Sequence, residues 1–311
     1  MSAVKLSSEE PFVYSIFGLQ LPDGEESPEK WSLKWEFHGL IAPHATHLDL
    51  FVQDHDGCAA AREGKTLIWL GYWKSRTSYL AWWDSEEVSN FWDNLPVSAG
   101  IWREIMSPDS SRAQYMTNKS EPVGLGHLGT EISVGDKTGY WGCYRHRMAA
   151  HSKDNFASPI ERDLEAFQSI LDSLGGDRPG RILMTKFPDN ICFVVEGQDH
   201  SNITADEKEY WNDNFDSSVT QWIKDLFSAG PDSGILGSHL QHMEQIGRTN
   251  KGHAALRSRF MRAYSPKGAM ESGKLGLWVE TTVLKNGEIE CEYVGCEKGT
   301  GWMALAGHQE F

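Results

Sequence analysis

A glycine- and proline-rich break, Gly175-Gly176-Asp177-Arg178-Pro179-Gly180, falls near the middle of the 311-residue chain and separates two halves of similar make-up. Predicted strands and helices interleave in both halves, and this pattern indicates an α+β fold. No low-complexity tract or long linker divides the sequence further. We therefore expect one domain over residues 1–311, with pseudo-halves of about 1–175 and 176–311.

Local patterns predict individual elements within the halves. Thr66–Trp73 is rich in aromatic and β-branched residues and is predicted to be a strand, and Ser75 is predicted to cap the helix that follows it. Apolar residues at helical spacing over Asp206–Phe227 predict an amphipathic helix. The Asn286-Gly287 pair lies between two strand-like runs, Leu275–Val283 and Ile289–Val294, and predicts a hairpin between them.

Charge and hydropathy exclude some classes of function. The formal net charge of −15 repels phosphate backbones, so nucleic-acid binding is not expected. No stretch approaches 18 consecutive apolar residues, and the first ten residues contain no apolar signal region. We therefore expect a cytoplasmic protein that does not bind membranes.

Two short segments have the character of pocket walls. Gly139–Arg147 and Asp189–Asp199 each place a polar or charged group at the end of a run rich in aromatic and β-branched residues. Strands that carry charge out of an apolar run often line a pocket instead of a plain core. Arg147 and Glu196 are the charged side chains that these segments would contribute.

A third segment is a predicted helix that carries a histidine. Asn250 is a suitable cap for a helix over residues 251–264, on which His253, Phe260 and Tyr264 share one otherwise apolar face. A histidine on such a face can be an axial ligand of haem iron, and nearby arginines can neutralise haem propionates. Packing in an ordinary core explains a lone histidine equally simply, and the pattern alone leaves both interpretations open.

The order of these segments resembles the haem-containing aldoxime dehydratases, the family of phenylacetaldoxime dehydratase. Those enzymes remove water from R-CH=N-OH to give a nitrile. The resemblance covers nearly the whole chain and includes Gly-Tyr-Trp-Gly before Arg147, Asp-Asn-Ile before Glu196, and the region that leads from His239 into His253. It implies two tandem ferredoxin-like halves resembling a dimeric α+β-barrel, with haem b between a sheet and a helix. It also implies a small-molecule substrate, either an aldoxime or another N-hydroxylated compound, and allows a homodimer.

The resemblance assigns roles to particular residues. It makes His253 the proximal ligand of the haem iron and places Arg257 among the cofactor-binding residues. Arg147 stands where the family has its distal arginine, which binds the substrate oxygen. Glu196 stands where the family has serine, and Val279 stands where it has the distal histidine.

The distal assignments depend on the strand register. A slip of one residue would bring Trp278 or Glu280, in place of Val279, to the position of the distal histidine, because neighbours on a strand point to opposite faces. His146 and His200 are the other histidines near the motifs that would be able to substitute for it. The role of Glu196 is also open, because burial would make it a proton donor near neutral pH, whereas an ion pair with Arg147 would make it structural.

These observations lead to one principal hypothesis and three alternatives. The principal hypothesis is a haem b lyase that dehydrates an aldoxime to a nitrile, with substrate bound at the iron. The second keeps haem and catalysis but has another nitrogen chemistry, such as N–O bond cleavage or rearrangement or N–N bond formation. The third is a non-catalytic haem-binding or sensor protein, and the fourth is a scaffold without haem.

Overall fold

A computed structural model describes residues 2–6, 10–21, 27–54, 65–133, 147–157, 180–227, 258–297 and 300–303 of the chain. Eleven strands occur among these residues: β1 Ser2–Leu6, β2 Val13–Leu21, β3 His47–Asp54, β4 Lys65–Trp73, β5 Ile101–Met106, β6 Ala113–Thr117, β7 Gly129–Ser133, β8 Arg181–Met184, β9 Ile191–Asp199, β10 Gly276–Leu284 and β11 Ile289–Val294. The α-helices with both ends described are α1 Pro28–Ile41, α2 Arg76–Trp83, α3 Glu86–Asp93, α4 Ala205–Trp211 and α5 Ser217–Phe227, and residues 258–263 are also helical.

The described strands form two open antiparallel sheets. One has five strands in the order β7-β1-β6-β10-β9, and the other has six in the order β3-β4-β2-β5-β11-β8. The α+β class is therefore confirmed. Each sheet contains strands from both sides of the 175–180 break, so the two pseudo-halves exchange strands and share one core.

Several local predictions agree with the structure. The strand predicted at Thr66–Trp73 is β4, and the Ser75 hydroxyl caps α2 by accepting a hydrogen bond of 3.1 Å from the Ser78 amide. The long helix predicted over Asp206–Phe227 consists of α4 and α5 joined by one π-helical turn, Asn212–Asp216. That turn adds a residue to the helical repeat, and the described part of the helix otherwise follows the predicted amphipathic pattern.

The hairpin prediction is wrong. Gly287 has φ +86° and forms the tight turn that Asn-Gly indicates, but β10 and β11 do not pair with each other. β10 pairs with β6 and β9, whereas β11 pairs with β5 and β8 in the other sheet. The turn therefore leads the chain from the five-stranded sheet to the six-stranded sheet. Each of the two strands pairs with strands of its own sheet and not with the strand next to it in sequence.

The two sheets pack face to face around an aromatic core. Tyr14 of β2 contacts Phe193 of β9 at a ring-centroid distance of 5.2 Å, and Tyr72, Tyr115 and Leu284 belong to the same buried cluster. The outer face of the six-stranded sheet packs on α1, α2 and α3 through a second cluster that contains Phe17, Trp73 and Trp82. On the outer face of the five-stranded sheet, a second helical layer that begins at α4 packs against Leu277 of β10.

Two buried carboxylates between the sheets have matching sets of hydrogen bonds. Glu280 of β10 accepts hydrogen bonds from the Leu125 amide (3.0 Å) and the Tyr72 hydroxyl (3.1 Å). Glu104 of β5 accepts them from the Trp302 amide (3.1 Å) and the Tyr293 hydroxyl (2.7 Å). Burial raises the pKa of each carboxyl to about 7.

Each of these contacts uses a glycine in the left-handed region just before the amide donor. Gly124 and Gly301 both have φ +50°, and a side chain at either position would collide with the glutamate that the turn encloses. The same combination of glutamate, tyrosine and glycine therefore occurs twice, and each set joins residues from before and after the 175–180 break.

Candidate active site

Three neighbouring strands of the five-stranded sheet place three of their side chains in one row. Val279 of β10 lies directly opposite Met116 of β6 on one side and Glu196 of β9 on the other. Residues paired in this way share a face of the sheet, with Cβ atoms about 5 Å apart. The face is the outer one, because the next residues along the same strands, including Tyr115 and Val195, belong to the core between the sheets.

The register decides which residue of β10 stands beside Glu196. Val279 is the direct partner of Glu196, whereas Trp278 and Glu280 point to the opposite face. Glu280 is fully buried there by Tyr72 and Leu125, and Trp278 packs against the inter-sheet core. A slip that would bring either residue to the position beside Glu196 is therefore excluded.

Arg147 reaches the same row from outside the sheet. Its Nη1 atom lies 3.4 Å from the Sδ atom of Met116, the residue opposite Val279. Arg147 is half-buried. The residues from Gly139 to His146 that precede it lie outside the described part of the chain, so the contact with Met116 is what fixes Arg147 over this face.

Glu196 has an unusual environment for a carboxylate. The residue is half-buried, but its Oε1 atom is enclosed and accepts no hydrogen bond from the described residues. Burial raises the pKa of the Glu196 carboxyl to about 8, so it is largely protonated at neutral pH. No ion pair joins Glu196 and Arg147 among the described residues.

Apolar side chains surround the row. Met116, Val279 and Val194 form a small buried cluster with Cys192 packed against it. Val194 and Cys192 precede Glu196 on β9 at intervals of two residues and therefore share its face. Met116, Val194 and Cys192 were not predicted as site residues from the sequence, although the period-2 alternation of β9 places Val194 and Cys192 on the face of Glu196.

A helical layer covers one end of this face. Trp211, Phe215, Phe260 and Leu275 form a buried cluster, and Leu277, two residues before Val279 on the same face of β10, packs against it. The ring of Phe260 stacks on that of Tyr264 at 4.2 Å. The helix face that the sequence predicts to carry His253 therefore turns, in its last described turn, toward the outer side of the five-stranded sheet.

The remaining candidates separate into two groups. His253, Arg257 and His146 lie outside the described residues, and the cofactor roles of His253 and Arg257 stay predictions. His200 is exposed just beyond the end of β9, where its Nε2 atom lies 3.0 Å from the side-chain oxygen of Gln198. It is four residues from Glu196, so nothing in its position favours it as a substitute for the distal histidine.

Comparison with protein families gives a match that spans most of the chain. The model of the family described as haem-containing dehydratase matches residues 15–240 and 238–302. The chain belongs to the haem-containing dehydratase family. It is thus an enzyme of the lyase class whose cofactor is haem b.

Characterised relatives of this dehydratase are aldoxime dehydratases. It is 24% identical over 266 residues to the aliphatic aldoxime dehydratase of Rhodococcus globerulus, a match that covers 77% of this chain and 72% of the relative. It is 23% identical over 268 residues to the phenylacetaldoxime dehydratase of Bacillus sp. (strain OxB-1), with 76% and 73% of the two chains covered.

Solved structures confirm the fold. An aldoxime dehydratase crystallised with butyraldoxime superposes with a TM-score of 0.78 at 20% identity, over 97% of this chain and 88% of the other. A second aldoxime dehydratase structure gives 0.75 at 18% identity, over 97% and 90%. Among the described helices of this dehydratase, none is long and apolar enough to cross a membrane.

The described residues fit a haem pocket on the outer face of the five-stranded sheet. Met116, Val194 and Val279 offer an apolar wall of the kind that a flat macrocycle packs against. The enclosed Oε1 atom of Glu196 and the adjacent Arg147 supply polar groups that lack an explanation as core packing. Such a combination of an apolar wall and a few convergent polar groups is typical of ligand sites.

Proposed function

We propose that this dehydratase converts an aldoxime, R-CH=N-OH, to the nitrile R-C≡N and water, with Glu196 as the proton donor. The observation that carries the proposal is the row Met116–Val279–Glu196, in which the two positions that depart from the family pattern are direct neighbours on one sheet face. Loss of the distal histidine at Val279 is thereby matched by a carboxylic acid on the adjacent strand.

The cofactor and the chain would divide the chemistry between them. His253 would hold the haem and Arg257 would contact it, and the bound haem would supply a Lewis-acidic iron atom for the oxime nitrogen. Met116, Val194 and Val279 would exclude water from the reacting end of the substrate. In this dry environment the hydrogen bonds of Arg147 and Glu196 to the substrate are stronger than in bulk solvent.

Glu196 would act twice in one turnover. Hydroxide is a poor leaving group, so the protonated carboxyl would donate its proton to the oxime oxygen as the N–O bond breaks. The resulting carboxylate would then take the proton from the oxime carbon as the C≡N bond forms. Water leaves, Glu196 is protonated again, and no external oxidant or reductant is consumed.

Arg147 would bind the same oxygen. A guanidinium donates hydrogen bonds and carries a fixed positive charge, so it stabilises negative charge that develops on the departing hydroxyl. The contact of 3.4 Å between Nη1 and the Met116 sulfur places the side chain of Arg147 at this row.

The test is Glu196→Gln in the haem-loaded enzyme, with nitrile formation measured on aliphatic and aromatic aldoximes. The amide keeps the size of the side chain but cannot donate an acidic proton, so we expect kcat to fall by roughly 10²–10⁴-fold with haem content unchanged. Glu290→Gln is the matched control, because Glu290 is a half-exposed glutamate on the other sheet. Normal turnover by the Glu196→Gln enzyme would rule out the proton-donor role.

Valine in place of histidine at position 279 favours a second candidate reaction at the same site. A pocket with one carboxyl and one guanidinium would also suit another N–O substrate, with cleavage, rearrangement or N–N bond formation as the outcome. Product analysis on N-hydroxylated amines beside the aldoximes separates the two reactions. Nitrile formation from aldoximes, with no product from N-hydroxylated amines, supports dehydration.

We also propose a homodimer in the cytoplasm. Trp31 and Trp35 on α1 expose about half of their surface, and Leu50 and Val52 on the edge strand β3 are similarly exposed. The Trp69 indole donates to His38 (3.3 Å) beside Trp35 and lies opposite Leu50, so these residues form one apolar area. Light scattering of wild type and Trp35→Glu tests the state, with a dimer expected for the first and a monomer for the second.

A further inference from the structure

A surface cavity of about 430 Å³ lies where the helical residues 258–263 meet the π-helical turn Asn212–Asp216. Three cations line it, Arg259, Arg262 and Lys267, and none of the described lining residues is a carboxylate. Tyr210 and Phe215 supply aromatic surface in the same lining. In a chain with 44 acidic and 29 basic residues, such a concentration of uncompensated positive charge is unexpected for an ordinary surface.

The cations of this basic pocket are held in place without being neutralised. Arg259 donates a hydrogen bond of 2.8 Å from Nη2 to the Ser218 hydroxyl and lies over the ring of Phe215. Neither Arg262 nor Lys267 has an ion pair among the described residues. The nearest acid in contact with the loop is Glu271, whose Oε2 atom accepts from the Lys267 amide (3.0 Å), not from its side chain.

The loop that carries Lys267 is tightly built. Lys267 has φ +66°, a left-handed conformation that lysine rarely adopts. The Gly268 amide donates to the Ser265 carbonyl (2.8 Å), and a side chain at Gly268 would collide with the carbonyl oxygens of Arg262 and Ala263. The packing of the loop on the end of the helix therefore orients Lys267 into the lining.

The basic pocket lies beside the aromatic cluster that covers the five-stranded sheet. Arg259 and Arg262 belong to the helical residues 258–263 and are exposed. Phe260 of the same helix is buried against Trp211 and Phe215, and Phe215 also lines the pocket. The aromatic wall of the pocket is therefore continuous with this buried cluster.

We propose that the basic pocket is a second ligand site, which binds a small molecule that carries a carboxylate or phosphate group on a flat apolar body. The two guanidinium groups suit the paired oxygens of either group, and Lys267 adds a point charge. The apolar body would lie along Phe215 and Tyr210. An aldoxime is neutral, so this ligand is distinct from the proposed substrate.

Calorimetric titration of the haem-loaded enzyme tests the site with benzoate, phenyl phosphate, inorganic phosphate and the uncharged benzyl alcohol. We expect benzoate or phenyl phosphate to bind in the millimolar range or tighter, more weakly as salt is added, and benzyl alcohol not to bind. Binding of benzoate with no binding of either phosphate identifies a carboxylate ligand. Binding of phenyl phosphate and inorganic phosphate identifies a phosphate ligand, and either pattern supports the proposal.

Variants locate the binding. Arg262→Gln combined with Lys267→Asn removes two charges while keeping a residue at 267 that tolerates the left-handed conformation, and affinity should fall at least tenfold. Lys208→Gln is the control, because this exposed lysine of α4 removes a nearby charge without lining the pocket. Wild type that binds none of the anions, equal binding by the double variant, or loss of haem from the double variant would each overturn the second site.

Discussion

The outer faces of the two sheets differ in the side chains that pack against them. On the six-stranded sheet, α1, α2 and α3 cover a continuous aromatic cluster in which Phe17 contacts Phe37 at 4.7 Å and Trp73 contacts Trp82 at 5.0 Å. On the five-stranded sheet, the corresponding cluster contains only Met116, Val194 and Val279 among the described buried residues. Among the described residues, the first face (the filled face) therefore has far more buried aromatic neighbours than the second, which carries the proposed site (the ligand face).

Charge on the two faces follows the same division. Arg103 on the filled face lies 4.1 Å above the Trp83 ring and pairs with Glu290 and Glu292. Glu196 on the other face has an enclosed oxygen without a partner among the described residues. A buried polar group without a hydrogen-bond partner costs folding free energy, so the two faces differ in how their charged groups are satisfied by the described residues.

The largest expected effect belongs to the filled face. Trp73→Ala should lower the free energy of unfolding by about 3–5 kcal/mol, because it empties a buried volume and removes the indole donor to the Ser15 hydroxyl (2.8 Å). Urea denaturation measures the change. A loss below 1 kcal/mol would mean that the helices can close over the gap, and the two faces would then differ less than their packing indicates.

On the ligand face the next largest effect should fall on catalysis instead of stability. Arg147→Gln removes the charge over the row, and we expect kcat/KM to fall by roughly 10²–10³-fold with little change in unfolding free energy. Arg147→Lys keeps the charge and should recover part of the loss. A variant that loses stability in proportion to activity would assign Arg147 a structural role.

Glu280 and Glu104, the carboxylates buried between the sheets, should make the free energy of unfolding depend on pH. Burial raises the pKa of Glu280 from 4.5 to about 7, so the folded state holds its proton more tightly than the unfolded state. The contribution of the protonated Glu280 to the free energy of unfolding is fully present below about pH 4.5. It is lost as pH rises toward 7, by roughly 3 kcal/mol at most. Glu280→Gln should flatten this part of the profile of unfolding free energy against pH, and an unchanged slope would contradict the assignment. Glu104→Gln should act in the same way.

The smallest effect on stability should come from the ligand face itself. Val279→Ala should cost about 1–2 kcal/mol, because Val279 has few buried neighbours to lose. The matched comparison is Trp73→Ala in the same denaturation series. Equal losses at the two positions would show that the sparse cluster is a true core.

Val279→His tests the ligand face by restoring a residue instead of removing one. It restores the residue type that the family resemblance implies beside Glu196, and combined with Glu196→Ser it rebuilds the family pair. We expect the double variant to recover activity relative to Glu196→Gln, measured as nitrile formation. No recovery would indicate that the pocket has been reshaped beyond these two positions.

The sequence by itself determined the elements and the family. Aromatic and β-branched runs identified β4 and β9, the serine cap located α2, and the order of the motifs identified a haem-containing dehydratase. These features are local or are read in chain order, so no knowledge of the packing was required. Arg147 and Glu196 were predicted as site residues in this way, because each ends a recognisable run of residues, and their roles stay predictions.

Only the tertiary structure decided which of these residues meet. The sequence left Trp278, Val279 and Glu280 open for the position of the distal histidine. Pairing with β6 and β9 places Val279 beside Glu196, because the pleat sends Trp278 and Glu280 to the other face. The same pairing separated β10 from β11 despite the Asn-Gly turn between them. Strand pairing depends on contacts between segments far apart in sequence, and such contacts are absent from any local pattern.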